Sequence, residues 1–287
     1  FGPGDEVLVP QPYWVSYPEQ IRLAGADAVA LPAREDNGFK LTAGELDAAV
    51  GPKTRGVILN YPCNPTGATY NRDELLAIAK VLEKHDCLIL ADDIYEKIVY
   101  DGFEVHNIVT LCPALRERAV IVNGVSKTYA MTGWRIGYAL GPSEIIAAGS
   151  KIQSQSTSNP TSIAQFAALE ALRGPQDEVA IMVREFHKRR DVIVDRLNAI
   201  DGISCRKPEG AFYVFPNIAG LLGKTGREKK LNSPCELADY LLEEAQVAGV
   251  PGEDFGSHEH IRFSYATALA DIEKGCERIR QAALKLV

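Results

Sequence analysis

Short, continuous apolar runs recur through the first half of the chain: Val7–Val9, Val57–Leu59, Cys87–Ala91, Val120–Val122 and Ile136–Leu140. A strand that alternates polar and apolar residues can leave one face in water, but a strand apolar throughout must be covered on both faces. Helical patterns lie between several of these runs. Thr42-Ala-Gly-Glu45 reads as a capping box opening a short helix. Asn71 caps a longer one, Arg72 to His85, with Leu75, Leu76, Ala79 and Leu82 at helical spacing. Covered strands alternating with helices predict an α/β fold with a mostly parallel sheet. Ligands of such sheets bind beyond the carboxyl ends of the strands.

The texture changes after Leu140. Gln153–Pro160 is a polar stretch, Thr161–Leu172 reads as a helix, and a long helix from about Asp177 to Ile200 carries the chain into a second unit. That unit contains a strand at Phe212–Phe215, a basic loop around Gly223–Lys230, a helix capped by Ser233-Pro-Cys-Glu236, a strand at Ile261–Tyr265 and a final helix. The division expected is a larger domain over residues 1–175 and a smaller one over 176–287.

Charge narrows the partners. A net charge of −7 leaves no broad basic face for nucleic acid, although small cationic pockets stay open. No apolar run approaches the ~20 residues a membrane-spanning helix needs. The six cysteines, Cys63, Cys87, Cys112, Cys205, Cys235 and Cys276, are scattered and form no C-x-x-C pair, which favours reduced thiols in a cytoplasmic protein. Phe1-Gly-Pro-Gly-Asp-Glu opens in a turn without an initiating Met, so a preceding segment is expected.

Five segments carry candidate chemistry. Gly124-Val-Ser-Lys-Thr-Tyr-Ala-Met-Thr-Gly-Trp-Arg-Ile-Gly137 sets Lys127 among small residues after a strand, with Arg135 eight positions on. A lysine whose pKa is lowered can form an imine with an aldehyde and move protons, and an arginine fork suits a phosphate. On spacing alone a surface lysine in a glycine-rich loop fits as well. Ala91-Asp-Asp-Ile-Tyr95 ends a buried strand with two carboxylates, of which Asp93 reads equally as a helix cap. Asn60-Tyr-Pro-Cys-Asn-Pro-Thr-Gly67 is, by itself, a turn after a strand. Pro12-Tyr-Trp14 follows the first strand, where a tryptophan is ordinarily core. Ile261-Arg-Phe-Ser-Tyr265 places Arg262 in an apolar strand, and a buried charge there needs a partner. His258 and His260 give only a weak metal signal with no third ligand, so no metal is expected. Lys224, Arg227, Lys229 and Lys230 read as a solvated insertion.

The Gly124–Gly137 segment matches, position by position, the lysine-attachment signature of class I aminotransferases, and the chain resembles that family over essentially its whole length. The resemblance implies fold type I, with a mixed, mainly parallel seven-stranded sheet in the large domain, a smaller α/β domain, and a homodimer. It implies that Lys127 holds pyridoxal 5'-phosphate as a Schiff base and that Arg135 binds the phosphate. Gly124 stands where the family also accepts Ser, so that hydroxyl is absent, and Ser126 is the candidate replacement. Asp92 would pair with the pyridine nitrogen, keeping the ring an electron sink. Tyr95 and Asn64 would bond the phenolic oxygen, and Trp14 would lie flat against the ring beside the substrate. Asn64 and Arg262 would hold the substrate carboxylate. Cis bonds are expected before Pro12 and Pro65.

The activity implied is ping-pong transfer of an amino group between an amino acid and a 2-oxo acid, with Lys127, Asp92 and Tyr95 as the catalytic residues. Pro12–Pro18, Met131–Tyr138 and Glu209-Gly-Ala-Phe-Tyr213 look most like bacterial aspartate aminotransferases of the branch that sometimes takes prephenate, with 2-oxoglutarate as acceptor. An aminotransferase for aromatic substrates, a lyase, or a cofactor-sensing domain of a transcription regulator are the alternatives. The family's glycine-rich phosphate loop, the tyrosine supplied by the neighbouring subunit and the amino-terminal arm have no counterpart in residues 1–287. A protein that starts at Phe1 is therefore expected to bind the cofactor weakly.

Overall fold

A computed structural model describes all residues, 1–287. Six of the apolar or half-apolar segments form one sheet: β1 (Glu6–Gln11), β2 (Asp27–Pro32), β3 (Thr54–Asn60), β4 (Leu88–Asp92), β5 (Ala119–Gly124) and β6 (Gly137–Leu140), in the order β2-β1-β3-β4-β5-β6. The first five run parallel and β6 is antiparallel to β5. The sheet is mixed and mainly parallel, as expected, but it holds six strands rather than seven. Within residues 1–287, β6 is the edge strand, and the chain passes from it directly into helices.

Side-chain alternation explains the cover on both faces. Val7, Val9 and Ile58 point to one face, where Tyr17 and Ile21 of α1 (Ser16–Leu23) cover them. Leu8, Val57 and Leu59 point to the other and pack against Leu46 of α2 (Ala43–Ala49) and Leu75, Ile78 and Leu82 of α3 (Arg72–Glu83). Both α2 and α3 open with complete capping boxes, at Thr42 and Asn71. The α3 helix stops at Glu83, two residues short of the expected end. A short α4 (Ile108–Leu111) follows β4 and buries Ile108 in the same core.

Beyond β6 come α5 (Ser143–Ser156), α6 (Ser162–Arg173) and the long α7 (Asp177–Asn198). Residues Gln153–Ser156, read from sequence as part of an irregular polar stretch, belong to α5. That helix buries none of its side chains, and its last residues, Gln153–Ser156, are all polar, so nothing there marks a helix in the sequence. The remaining elements are β7 (Tyr213–Val214), the hairpin β8 (Thr225–Gly226) with β9 (Lys229–Lys230), α8 (Pro234–Tyr240), β10 (Val250–Pro251), β11 (Ile261–Ser264) and α9 (Leu269–Ala283). A small antiparallel sheet in the order β10-β11-β7 packs on α7 and α9. Leu197, Ile218, Leu237 and Ile261 are fully buried in this second core, each adding about 1.5–3 kcal/mol of apolar burial. The basic loop is the β8–β9 hairpin, where Arg227 pairs with Glu243 and Glu244 at the surface.

The two cores are not sealed from each other. Tyr95, Ile98 and Tyr100, just after β4, pack into the second core. The Arg190 guanidinium of α7 is buried there, donating to Asp101 at 2.7 Å, to Asp191 at 2.9 and 2.7 Å and to the Pro208 carbonyl at 3.1 Å, over the face of Tyr100.

Candidate active site

The carboxyl ends of β1, β3, β4 and β5 and the start of β6 open onto a cavity of about 640 Å³. Trp14, Asn64, Asp92, Tyr95, Ser126, Lys127, Arg135 and Arg262, all singled out from sequence, line it together. Each arrives on a different local device. Trp14 sits in the turn between β1 and α1, after a cis Gln11–Pro12 bond, with its ring edge-on to Tyr17 at 5.3 Å. Asn64 follows β3 in a loop with cis bonds at Tyr61–Pro62 and Asn64–Pro65, the first of which the sequence reading did not include. The Asn60 side chain stitches this loop to β4, donating to the Asp92 carbonyl at 3.0 Å and accepting from the Asn64 N–H at 3.0 Å.

Asp92 is held by neutral donors. Its carboxylate accepts the Tyr17 hydroxyl at 2.5 Å and the Ile94 N–H at 3.2 Å. Burial raises its pKa, and the Tyr17 bond works against that rise. Neighbouring Asp93 turns to Asn107 at 2.5 Å and does not line the cavity, in keeping with a structural role; burial lifts its pKa to about 6.

Lys127 projects between the rings of Tyr95 and Phe212, its Nζ 5.9 and 5.8 Å from their centroids. Burial lowers its pKa, and the positive charges of Arg135 and Arg262 lower it further, against an opposing pull from Asp92. A lysine so placed is easier to deprotonate, which nucleophilic attack on a carbonyl requires. Arg135 sits in a left-handed turn at φ 56° and donates to the Thr132 carbonyl at 2.8 Å. At Gly124 an added Cβ would come 2.9 Å from the Ile136 carbonyl oxygen, so the position excludes a serine without a backbone shift.

Arg262 faces the cavity from β11. It donates to the Asn64 side-chain oxygen at 2.8 Å and lies between the faces of Tyr213 and Phe255, at 4.5 and 4.9 Å. Its Nε is buried with no hydrogen-bond partner, and burial lowers the guanidinium's pKa. An orphaned charged donor of this kind calls for an anionic guest. His260, two positions away, is committed elsewhere, to Ser257 Oγ at 2.7 Å and Glu35 Oε2 at 3.2 Å, and stacks on Phe215.

Sequence reasoning missed Tyr17, Asn60 and Tyr213 as lining residues. Tyr17 stands three residues after Trp14 and shares its side of the turn, a spacing that could have flagged it. Tyr213 was visible only as part of the Glu209–Tyr213 segment.

The donor set fits pyridoxal 5'-phosphate. A half-buried carboxylate without a cation, an amine of lowered pKa, an exposed arginine fork and an arginine with a free buried donor converge on one space. They match a pyridine nitrogen, an aldehyde carbon, a phosphate and a substrate carboxylate.

Comparison with known proteins agrees. The family model described as aminotransferase class I and II matches residues 1–279. The chain is 50% identical over 280 residues to an aspartate/prephenate aminotransferase of Cereibacter sphaeroides, covering 97% of this chain and 70% of that protein. It is 48% identical over 286 residues to an aspartate aminotransferase of Rhizobium meliloti, covering 99% of this chain and 70% of the relative. The crystal structure of an aspartate aminotransferase from Rhizobium meliloti superposes with a TM-score of 0.96 at 47% identity, over 100% of this chain and 72% of the other.

Proposed function

The chain belongs to the class I and II aminotransferases, a pyridoxal-phosphate-dependent family, and on that premise we propose that it exchanges the amino group of aspartate with 2-oxoglutarate. The carrying observation is the convergence of Lys127, Asp92 and Arg262 on one cavity, with the Arg262 Nε buried and unpartnered. The relatives' activities support aspartate as donor. Prephenate or an aromatic acid remains the second substrate class, since a relative named for prephenate and a solved aromatic aminotransferase from Pyrococcus horikoshii (TM-score 0.91, 38% identity) are both similar to this chain.

When bound, the cofactor supplies an electron-withdrawing ring that stabilises negative charge at the substrate's α-carbon. The residues of this chain would hold it and move the proton. Lys127, of lowered pKa, is the base that takes and returns the α-proton. Asp92, steadied by Tyr17, would hold positive charge on the ring nitrogen. Tyr95 and Asn64 would donate to the ring oxygen, Trp14 would shield the ring from water, and Arg135 with Ser126 would hold the phosphate. Arg262 grips the α-carboxylate through its free edge, while Asn64 keeps the guanidinium turned toward it.

We also assign the larger domain to residues 1–175 and the smaller to 176–287, a division supported by two main cores, the first built within residues 8–119 and the second mostly from α7 onward. A homodimer is supported by Ile152, Ile163 and Phe166, apolar side chains left 71–75% exposed on α5 and α6. Six unbonded cysteines support a cytoplasmic setting, and no helix is long and apolar enough to cross a membrane. A panel of amino donors with 2-oxoglutarate, read by keto-acid release, tests the activity. Fastest turnover with aspartate is expected; no release from any donor by cofactor-loaded protein would overturn the reading.

A further inference from the structure

Tyr213 is the one aromatic side chain of the cavity that touches both halves of the proposed machinery. Its hydroxyl lies 3.0 Å from that of Tyr95, and its ring face lies 4.5 Å from the Arg262 guanidinium. The local fold locks it there. The Ala211 N–H donates to the Ile98 carbonyl at 2.9 Å, the Tyr100 N–H to the Glu209 carbonyl at 3.0 Å, and the Gly210 N–H to the Gly67 carbonyl at 2.8 Å. A Cβ at Gly210 would fall 2.6 Å from Pro62 and 2.8 Å from the Ile98 carbonyl, so the backbone can approach this closely only at glycine. The segment entering β7 is thus pinned to both the Tyr95–Tyr100 segment and the Asn64 loop. Tyr213 itself is 7% exposed and pairs with Ser264 of β11.

We propose that Tyr213 is a dual positioning residue, whose hydroxyl fixes the direction of the Tyr95 proton and whose ring props the Arg262 guanidinium. This rests on the roles given to Tyr95 and Arg262 above. A phenol has one proton to donate. If Tyr95 donates to Tyr213, nothing is left for the ring oxygen of the cofactor. When Tyr213 is the donor, the Tyr95 proton points into the cavity and its oxygen is satisfied from behind. No other hydroxyl or N–H is hydrogen-bonded to the Tyr95 hydroxyl, so the direction of this one bond decides where its proton goes. The ring has a separate task. Arg262 has no carboxylate partner, and two aromatic faces and one amide hold it in place.

The two tasks separate by mutation. Tyr213→Phe removes the hydroxyl and keeps the ring; Tyr213→Leu removes both. In cofactor-loaded protein without substrate, Tyr213→Phe should raise the pH midpoint of the bound-cofactor absorbance. The Tyr95 oxygen then accepts from nothing, which makes its phenol a weaker donor, and the ring oxygen holds its shared proton longer, by up to roughly 0.3 pH unit, the ~10–30% by which one neutral hydrogen bond strengthens the next. Its KM for amino donors should stay within about two-fold of wild type. Tyr213→Leu should show the same midpoint shift and, in addition, a roughly five- to thirty-fold rise in KM for every donor, the range of a desolvated cation–π contact. An unshifted midpoint in Tyr213→Phe, or a KM rise in it as large as that of Tyr213→Leu, overturns the proposal while leaving the transaminase reading intact. Wild-type protein that shows no cofactor absorbance at all overturns both.

Discussion

Two arginines in this molecule are withdrawn from water, and their surroundings could hardly differ more. Arg190 meets Asp101 and Asp191, a backbone carbonyl and the Tyr100 face, so its donors and charge are answered within the fold. Arg262 meets an amide oxygen and two aromatic faces, and its buried Nε has no partner. Asp92 is the acidic counterpart, a half-buried carboxylate held by a tyrosine and a backbone N–H with no cation bonded to it. Matched buried charge holds structure together. Unmatched buried charge is costly unless a guest completes it, and Arg262 and Asp92 line the same cavity.

Three substitutions sharpen or break that contrast. Asp92→Asn removes the charge meant for the ring nitrogen but keeps a side chain that Tyr17 can still bond. It should lower kcat by about 10²–10³, the usual cost of losing one preorganised electrostatic group, with KM changed far less. Near-wild-type turnover would remove Asp92 from the mechanism. Arg262→Lys keeps a charge and loses the planar fork; losing a charge-assisted bond of ~1.5–3 kcal/mol should raise KM roughly ten- to hundred-fold for every donor. Steady-state kinetics across the panel would contradict this if only dicarboxylic donors were affected. The melting temperature of that variant should barely move.

Arg190→Met should behave in the opposite way. Asp101 and Asp191 are 57% and 40% exposed and can be hydrated once abandoned, so the loss should fall at or below the low end of the ~3–5 kcal/mol typical of a broken buried pair. Urea unfolding should show the lower stability, while KM for amino donors stays near wild type. A KM increase without loss of stability would erase the distinction between the two arginines.

Much of this was legible in the sequence because the signals were local. β1 and β3 are buried on both faces, β4 and β5 are at least half-buried over most of their length, and all four read as apolar runs; the capping boxes at Thr42 and Asn71 lie within four residues. Resemblance then named eight residues that share the cavity. What stayed hidden was non-local or unpatterned. β2 is an edge strand with no buried residue, its short Ala28–Leu31 run half alanine, and α5 has no buried face. Tyr17 meets Asp92 across 75 positions of chain, and Tyr213 meets Tyr95 across 118, distances that only the fold closes.

The central claim is that Lys127 carries the cofactor, and borohydride reduction tests it most directly. Protein loaded with pyridoxal 5'-phosphate, reduced and digested, should yield one phosphopyridoxyl peptide, containing Lys127. The Lys127→Ala variant should yield none and should lose the roughly 10²–10⁴-fold that a positioned base contributes to turnover. A stable label on any other lysine, or wild-type turnover in Lys127→Ala, would contradict the account.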